Sequence, residues 1–394
     1  MTGEDTNYGP ERQETVYRQG MLEGEPPEFP VAYEDLEKRA REELDEKAFA
    51  YVAGGAGAES TVEANDRAFD AWQIVPRILR DVSDRDLSVE LFGSELSAPV
   101  FLAPIGVQGI LHDEAELAVA RAANAVGVPM ISSSVSSYTM EEIADELETT
   151  GWFQLYWSAD RDVAASFLER AEDAGFEAIV VTLDTPKMGW RERDIELAYL
   201  PFLEGQGIRN YFEDNAFCDR LETDDPWADP EASLESFIDC FGDASLTWDD
   251  LSFLREHTDL PIVLKGVLHP DDARRAVEHG VDGLIVSNHG GRQVDGAVPA
   301  LEALPEIAEA VGDDVPVLFD SGIRRGSDAV RAIALGADAV LLGRPYAYGL
   351  GIGGEYGVEA VLRNFLADLD LTVGLSGCAS VDELDRSTIR RAER

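Results

Sequence analysis

Eight short runs of apolar and β-branched residues recur along the chain, and their spacing constrains the fold more than any other feature. They are "APVFLAP" (98–104), "VPMISSS" (128–134), "WFQLYW" (152–157), "AIVVTLD" (178–184), "PIVLKG" (261–266), "DGLIVSN" (282–288), "VPVLFDSG" (315–322) and "DAVLLGRP" (338–345). Amphipathic segments such as "DEAELAVARAANAVG" and "DRDVAASFLERAEDAG" lie between most of them. Apart from one long gap, successive runs end about 22 to 33 residues apart, the length of one βα unit. Strands that read as nearly continuous apolar runs are buried on both faces, as in a parallel sheet covered by helices. Eight such units predict a TIM (β/α)8 barrel. An open doubly wound sheet is the alternative, but no G-x-G-x-x-G turn follows any of the runs, which counts against its dinucleotide-binding form.

Residues 1–30 are polar and rich in Pro, Gly and Glu, and are expected to form a flexible acidic tail ahead of a barrel domain at 31–394. "AYEDLEKRAREELDEKAFAYVAGGAG" has helical spacing and ends in a glycine cluster, which predicts an N-terminal helical segment before the first strand. The long gap, about 80 residues, separates the fourth and fifth runs. Its polar, acidic, turn-rich stretch at about 190–255 is expected to be either a lid over an active site or a disordered loop.

Acidic residues number 78 against 32 basic, for a formal net charge of −46. Such a surface repels nucleic acid and anionic membranes, so neither is an expected partner. Four of the basic residues are Lys (Lys38, Lys47, Lys187 and Lys265), which leaves 28 Arg. Acid spread along the whole chain, with few lysines, fits a protein adapted to molar salt, where screening removes self-repulsion; an ordinary acidic protein with acidic tails is the blander reading. Cys218, Cys240 and Cys378 show no metal-ligand spacing, and no metal site is expected. The first residues lack the basic and apolar regions of a signal peptide, and no apolar run reaches the roughly 18 residues of a membrane span, so a cytoplasmic protein is expected.

In a TIM barrel the chemistry sits at the C-terminal ends of the strands. Those ends here carry Gln154 and Tyr156, Thr182 and Asp184, Lys265, His289 with Arg292, Asp320, and Arg344. A lone histidine at a strand end is more often a structural hydrogen-bonder; acid, base and cation at six of eight ends are harder to assign to solvated turns. "FDSGIRRGSDAV" and "LLGRPYAYG" place glycines and arginines where the seventh and eighth strands meet their helices, the barrel's usual phosphate position. Lys265 ends an apolar strand, where a charge is costly without a partner, so it suits a developing negative charge on a cofactor. A His base, a carboxylate orienting it and Arg forks for a substrate carboxylate suit oxidation of a hydroxy acid. In "SNHGGRQVDG" (287–296) the glycines would let the backbone pass close to a bound ring, putting His289 and Arg292 on one ligand.

"FQLYW", "TLDTPKMGWRERD", "VLKGV", "SNHGGRQVDG", "FDSGIRRGSD" and "LLGRP" together resemble the FMN-dependent 2-hydroxy-acid oxidising family, which includes glycolate oxidase, lactate oxidase and lactate monooxygenase. The similarity runs from about Tyr33 to "GLSGCASVDEL", and "GWRERDIELAYLPFLEGQGIRNYFED" is most similar to the lactate 2-monooxygenase branch. The resemblance implies His289 as base, Asp184 as its partner, and Tyr156 on the substrate hydroxyl or developing carbonyl. It implies that Tyr51, Arg191 and Arg292 hold the substrate carboxylate, and that Lys265 faces the pyrimidine end of the flavin. Ala103, Pro104, Ile105, Gly106, Ser133, Gln154, Thr182 and Ser287 would line the isoalloxazine, Asp320 the ribityl chain, and Gly322, Arg324, Gly343 and Arg344 the phosphate. Plant-type glycolate oxidases carry Trp where this chain has Val135, so the size of the substrate side chain is left open.

The expected activity is therefore FMN-dependent oxidation of L-lactate or a similar short L-2-hydroxy acid, with molecular oxygen as acceptor and oxidative decarboxylation to acetate. Release of the 2-oxo acid by an oxidase or dehydrogenase is one alternative, and an FMN-binding barrel without turnover is another. A homo-oligomer, tetramer or octamer, is expected from the same resemblance. The charge generates a prediction of its own. Lowering KCl from about 1 M, where the Debye length is about 3 Å, to about 0.1 M, where it is about 10 Å, should lower the melting temperature and the activity. An unchanged melting temperature in dilute buffer would refute the salt-adapted reading.

Overall fold

The eight runs form the eight strands of one closed, all-parallel barrel. The computed structural model of the chain describes residues 7–223 and 225–392. The barrel strands are β1 (Val100–Leu102), β2 (Met130–Ser133), β3 (Gly151–Tyr156), β4 (Ile179–Thr182), β5 (Ile262–Val267), β6 (Gly283–Val286), β7 (Val317–Phe319) and β8 (Ala339–Leu342). Each pairs with its sequence neighbours, and β8 closes on β1 through Val340–Val100, Leu341–Phe101 and Leu342–Leu102. The TIM-barrel expectation is met, and the doubly wound alternative falls away.

Strand side chains alternate between two faces, and both faces are buried. Val100, Leu102, Leu264, Leu284 and Val286 face the surrounding helices. Phe101, Ile131, Trp152, Val180, Val263, Ile285, Leu318 and Leu341 form a separate cluster inside the barrel. A hairpin of Val89–Leu91 and Ser94–Leu96 covers the N-terminal mouth. Its Phe92 packs on Trp152, ring centroids 5.4 Å apart, and Trp152 on Phe101 at 4.4 Å. One end of the barrel is thereby filled with apolar rings, which leaves polar groups for the other.

Helices Tyr33–Glu43 and Glu46–Ala53 form the expected N-terminal helical segment. Part of the expected tail behaves differently. Residues 1–6 lie outside the described residues, but Tyr8–Arg18 is a helix packed against the last helix, Arg344–Ser376. Local composition could not show this, because the anchor is remote in sequence. Asp370, 1% exposed, accepts from the Gly9 amide (2.7 Å) and from Arg85 Nη2 (3.0 Å). The segment at about 190–255 packs its aromatic rings into the main core: Tyr211 packs on Phe237 at 4.9 Å and on Phe167 of a barrel helix at 4.8 Å, and Phe202 on Phe237 at 5.4 Å. Among the described residues, no helix is long and apolar enough to cross a membrane.

Asp370→Ala should leave the Arg85 guanidinium and the Gly9 amide without their buried acceptor and cost about 2–4 kcal/mol. The expected result is a lower denaturant midpoint together with faster proteolysis near residues 19–24. A midpoint and a cleavage rate like those of the parent would show that the first helix does not depend on this carboxylate.

Candidate active site

The parity of each strand decides what enters the cleft. Two residues beyond the interior Phe101, Ile131, Val180, Val263, Leu318 and Leu341 stand Ala103, Ser133, Thr182, Lys265, Asp320 and Gly343, on the same face at the C-terminal rim. The same step carries Trp152 through Gln154 to Tyr156, Val180 through Thr182 to Asp184, and Ile285 through Ser287 to His289. Most of them surround one cleft that is partly open to solvent. Of the residues expected from the sequence, Tyr51, Ala103, Pro104, Ile105, Gly106, Tyr156, Thr182, Arg191, Lys265, His289, Arg292, Asp320, Gly322, Arg324, Gly343 and Arg344 line it. Asp184, Ser133, Gln154 and Ser287 do not form its lining. Asp184 bonds His289, Ser287 bonds Lys265, and Ser133 Oγ donates to Gln154 Oε1 at 2.8 Å.

His289 Nδ1 lies 2.9 Å from Asp184 Oδ1. An ionised carboxylate only accepts, so Nδ1 carries the proton and Nε2 presents its lone pair to the cleft, 3.5 Å from Tyr156 Oη. Burial pushes His289 below its ordinary pKa, against the pull of Asp184 in the other direction. Burial acts to raise Asp184, but its bond to His289 and the nearby Lys265 charge hold it below the usual carboxylate range. The pair therefore rests as neutral imidazole and carboxylate, the form in which Nε2 is a base. Burial, then the Asp184 charge, holds the Tyr156 hydroxyl well above its ordinary value, so it remains a donor.

The loop that presents His289 is left-handed over three residues, with φ of +58° at His289, +62° at Gly290 and +79° at Gly291. A Cβ on Gly290 would meet Arg344 Nη1 at 2.9 Å, and one on Gly291 would meet the Val62 amide nitrogen at 2.7 Å. Both positions need glycine for space as well as for conformation. Two hydroxyls fix the loop: Ser287 Oγ accepts from the His289 amide at 3.0 Å, and Ser321 Oγ from the Gly290 amide at 3.0 Å. Lys265 Nζ joins the same network, 2.8 Å from Ser287 Oγ and 3.0 Å from Asp320 Oδ2. Burial works against the Lys265 charge, but Asp320 and Asp184 outweigh it and hold the ammonium above its ordinary pKa.

Arg292 and Arg191 are held mainly by neutral groups. Arg292 Nη1 donates to the carbonyls of Tyr51 and Gly54, and its guanidinium lies 4.9 Å from the centre of the Tyr51 ring. Arg191 Nη2 donates to Gln293 Oε1 at 3.1 Å, and its Nε to the Arg292 carbonyl at 3.3 Å. Burial first, and then the Arg191 charge, push Arg292 down to about 9, so it is still a cation at neutral pH. Arg191 Nη1 lies 4.0 Å from Asp194 Oδ2, and no carboxylate pairs with Arg292 among the described residues, so the two buried cations together form a site for an anion. Gln293 was not singled out from sequence, although it lies within "SNHGGRQVDG". Its Nε2 donates to the carbonyls of Asp184 (2.9 Å) and Lys187 (3.0 Å), tying the base's partner to the arginine pair.

The phosphate end differs in detail from the sequence reading. The amides of Arg324 and Arg325 are taken by Asp328 Oδ2 (3.1 and 3.0 Å), and that of Gly326 by Asp368 Oδ2 (2.7 Å), so carboxylates already hold three amides at the start of the helix after β7. What reaches the cleft there is the Gly322 turn and Arg324, whose guanidinium pairs with Asp66 and stacks over Tyr33 at 4.6 Å. Arg344 donates to the carbonyls of Val52 (3.1 Å), Gly290 (3.0 Å) and Gly54 (2.9 Å). Two buried polar atoms, Gln154 Nε2 and Thr182 Oγ1, have no partner among the described residues. Both lie on the interior face near Lys265, where the polar edge of an isoalloxazine would satisfy them, so the donor set fits FMN.

Asp184→Asn should remove the charge that favours a protonated His289. Turnover of a 2-hydroxy acid should fall by about 10²- to 10⁴-fold, and the acid limb of its kcat/KM profile should move to lower pH. An acid limb that stays in place would show that Asp184 does not set the base.

The comparisons with known proteins agree with this geometry. Residues 40–391 match the family described as FMN-dependent dehydrogenase. The chain is 44% identical over 362 residues to an L-lactate oxidase of Lysinibacillus sphaericus, covering 92% of this chain and 93% of the relative. It is 44% identical over 388 residues to the FMN-dependent alpha-hydroxy acid dehydrogenase qulF of Penicillium citrinum, covering 98% and 96%. The crystal structure of a mandelate oxidase superposes with a TM-score of 0.82 at 41% identity, covering 92% of this chain and 99% of that one. This chain belongs to the family of FMN-dependent 2-hydroxy-acid oxidases and dehydrogenases, and FMN is its cofactor.

Proposed function

We propose that the protein oxidises L-lactate or a similarly short L-2-hydroxy acid, with molecular oxygen as the final acceptor, and that it keeps the 2-oxo product bound long enough to decarboxylate it. The observation that carries the reading is the convergence of His289 Nε2, Tyr156 Oη and the Arg191–Arg292 pair on one cleft beside Lys265. Arg191 and Arg292 hold the substrate carboxylate, Tyr156 donates to the 2-oxygen, and His289 Nε2 takes the proton released on oxidation. Asp184 then stabilises the imidazolium. Bound FMN supplies the two-electron acceptor that these side chains lack. Ile105, Val135, Phe202 and Phe241 give the cleft an apolar side suited to a short alkyl group, and the similarity to an L-lactate oxidase points the same way.

Product retention is supported by the 190–255 segment, which we assign as a lid. Its Phe241 packs against Tyr156 at 5.4 Å, so its aromatic core reaches the site itself. Retained pyruvate and peroxide would give acetate, carbon dioxide and water; early release would give pyruvate and hydrogen peroxide. The net charge of −46 supports action in a high-salt cytoplasm. Ile78 and Leu79, 84% and 100% exposed, support burial in a homo-oligomer such as a tetramer or octamer.

The test is product analysis of the holoenzyme in concentrated KCl with L-lactate, air and catalase, which removes free peroxide before it can convert pyruvate chemically. Predominantly acetate is expected. Predominantly pyruvate with fast oxygen uptake would make the protein an oxidase, and a bleached flavin with slow uptake a dehydrogenase. No bleaching would remove L-lactate as substrate.

A further inference from the structure

Glu116 is a fully buried carboxyl group that the chemistry above does not use. It stands in the first turn of the helix Ala115–Val126, and no arginine or lysine pairs with it among the described residues. Its oxygens are instead held by backbone amides from two different loops. Gln108 N donates to Oε1 at 3.3 Å, from the loop after β1, and Ser137 N donates to Oε2 at 3.1 Å, from the loop after β2. The Tyr138 amide adds to the second set. Burial pushes the carboxyl up to about 7, against amides that pull it down. A charge so placed costs stability that an apolar residue of similar volume would not, so volume alone does not account for it.

We propose that Glu116 is a positioning residue for the flavin pocket, tying the loop after β1 to the loop after β2 and so setting the wall that Ile105, Gly106, Val107 and Val135 present to the cleft. The two loops meet with little slack. Val107 N donates to the Val135 carbonyl at 2.8 Å, and Gly109 N to Ser137 Oγ at 2.8 Å. A Cβ on Gly106 would meet Val135 Cγ2 at 2.5 Å and the Val135 carbonyl oxygen at 2.8 Å. Gln108, whose amide Glu116 holds, also donates from Nε2 to the Ile105 carbonyl at 2.9 Å. Tyr346 Oη donates to the Ala103 carbonyl at 2.7 Å, fixing the other end of the "APIG" turn. The Glu116 carboxylate is thus two bonds from the residues expected at the isoalloxazine, and the inference rests on that placement of residues 103–106.

Glu116→Gln keeps the volume but replaces one acceptor by an amide that donates, so one loop loses its anchor. In the folded holoenzyme, FMN should dissociate about tenfold more readily, the amount expected from one lost buried hydrogen bond. The visible circular dichroism of bound flavin should change, and KM for the 2-hydroxy acid should rise more than kcat falls. Glu116→Asp keeps the charge one methylene short, and serves if the Gln variant does not fold; the same changes are expected in its flavin. A lower melting temperature with unchanged FMN affinity and dichroism would assign Glu116 a merely structural role and overturn the proposal. Gly106→Ala separates the two readings. If it perturbs the flavin while the Glu116 variants do not, the proposal alone fails. If it leaves the flavin unchanged, residues 103–106 are not the flavin wall and both fail.

Discussion

The site exists because side chains on a β-strand alternate and the sheet is closed. On most barrel strands the residue facing inward near the start is apolar, and the next residues of the same parity are the polar groups at the rim. Trp152, Gln154 and Tyr156 show the rule on one strand, and Ile285, Ser287 and His289 on another. Slipping any strand by one residue would turn its polar group into the helix layer and its core residue into the cleft. Fold and chemistry are therefore specified by the same periodicity. The apolar plug of Phe92, Phe101 and Trp152 keeps water out from below, so that polar groups are needed at one rim only.

Within that frame the decisive energies are electrostatic. The chain as a whole is strongly acidic, yet Lys265, Arg191, Arg292, Arg324 and Arg344 all line one cleft. Their partners explain how the positive potential survives. Arg292 and Arg344 are fixed by carbonyls of Tyr51, Val52, Gly54 and Gly290, which orient a guanidinium without neutralising it. Carboxylates are reserved for places where a charge must be shared: Asp184 behind the base, Asp320 beside Lys265, Asp66 on Arg324. In the molar salt proposed as its working medium, attraction beyond a few ångströms would be screened, and an anionic substrate would be captured by contacts of this kind rather than by long-range steering.

Most of this was legible in the sequence for a physical reason: strands buried on both faces leave an apolar signature, and their ends fall at predictable positions. What escaped was whatever depends on a partner remote in the chain. The helix Tyr8–Arg18 looks like a polar tail until Asp370 and Arg85 are seen to hold it. Gln293 is a neutral residue in a conspicuous motif, and only the fold shows that it joins Arg191 to the carbonyl of Asp184. The helix start after β7 reads as an anion site, but Asp328 and Asp368 already occupy its amides, one of them from 42 residues away. Glu116 reads as an ordinary acidic residue early in a helix.

These remote contacts share one property: they act on loops, helix starts and the N-terminal helix, not on the barrel strands. Lys265, Asp320 and Ser287 are placed by the barrel, so chemistry common to the family follows from the fold. The loops after β1 and β2 meet beside the cleft, and the aromatic cluster of 190–255 brings Phe241 against Tyr156, so under the proposed function these loops would set how tightly flavin, substrate and product are enclosed. Tyr156 is where the two levels meet, since it lies 3.5 Å from His289 Nε2 on one side and against the Phe241 ring on the other. A lid that moves must move the neighbour of the hydroxyl donor. On the proposed reading, retention of the oxidised product and proton transfer at His289 would be coupled through this one side chain, and product partitioning would be a property of loop packing rather than of any additional catalytic group.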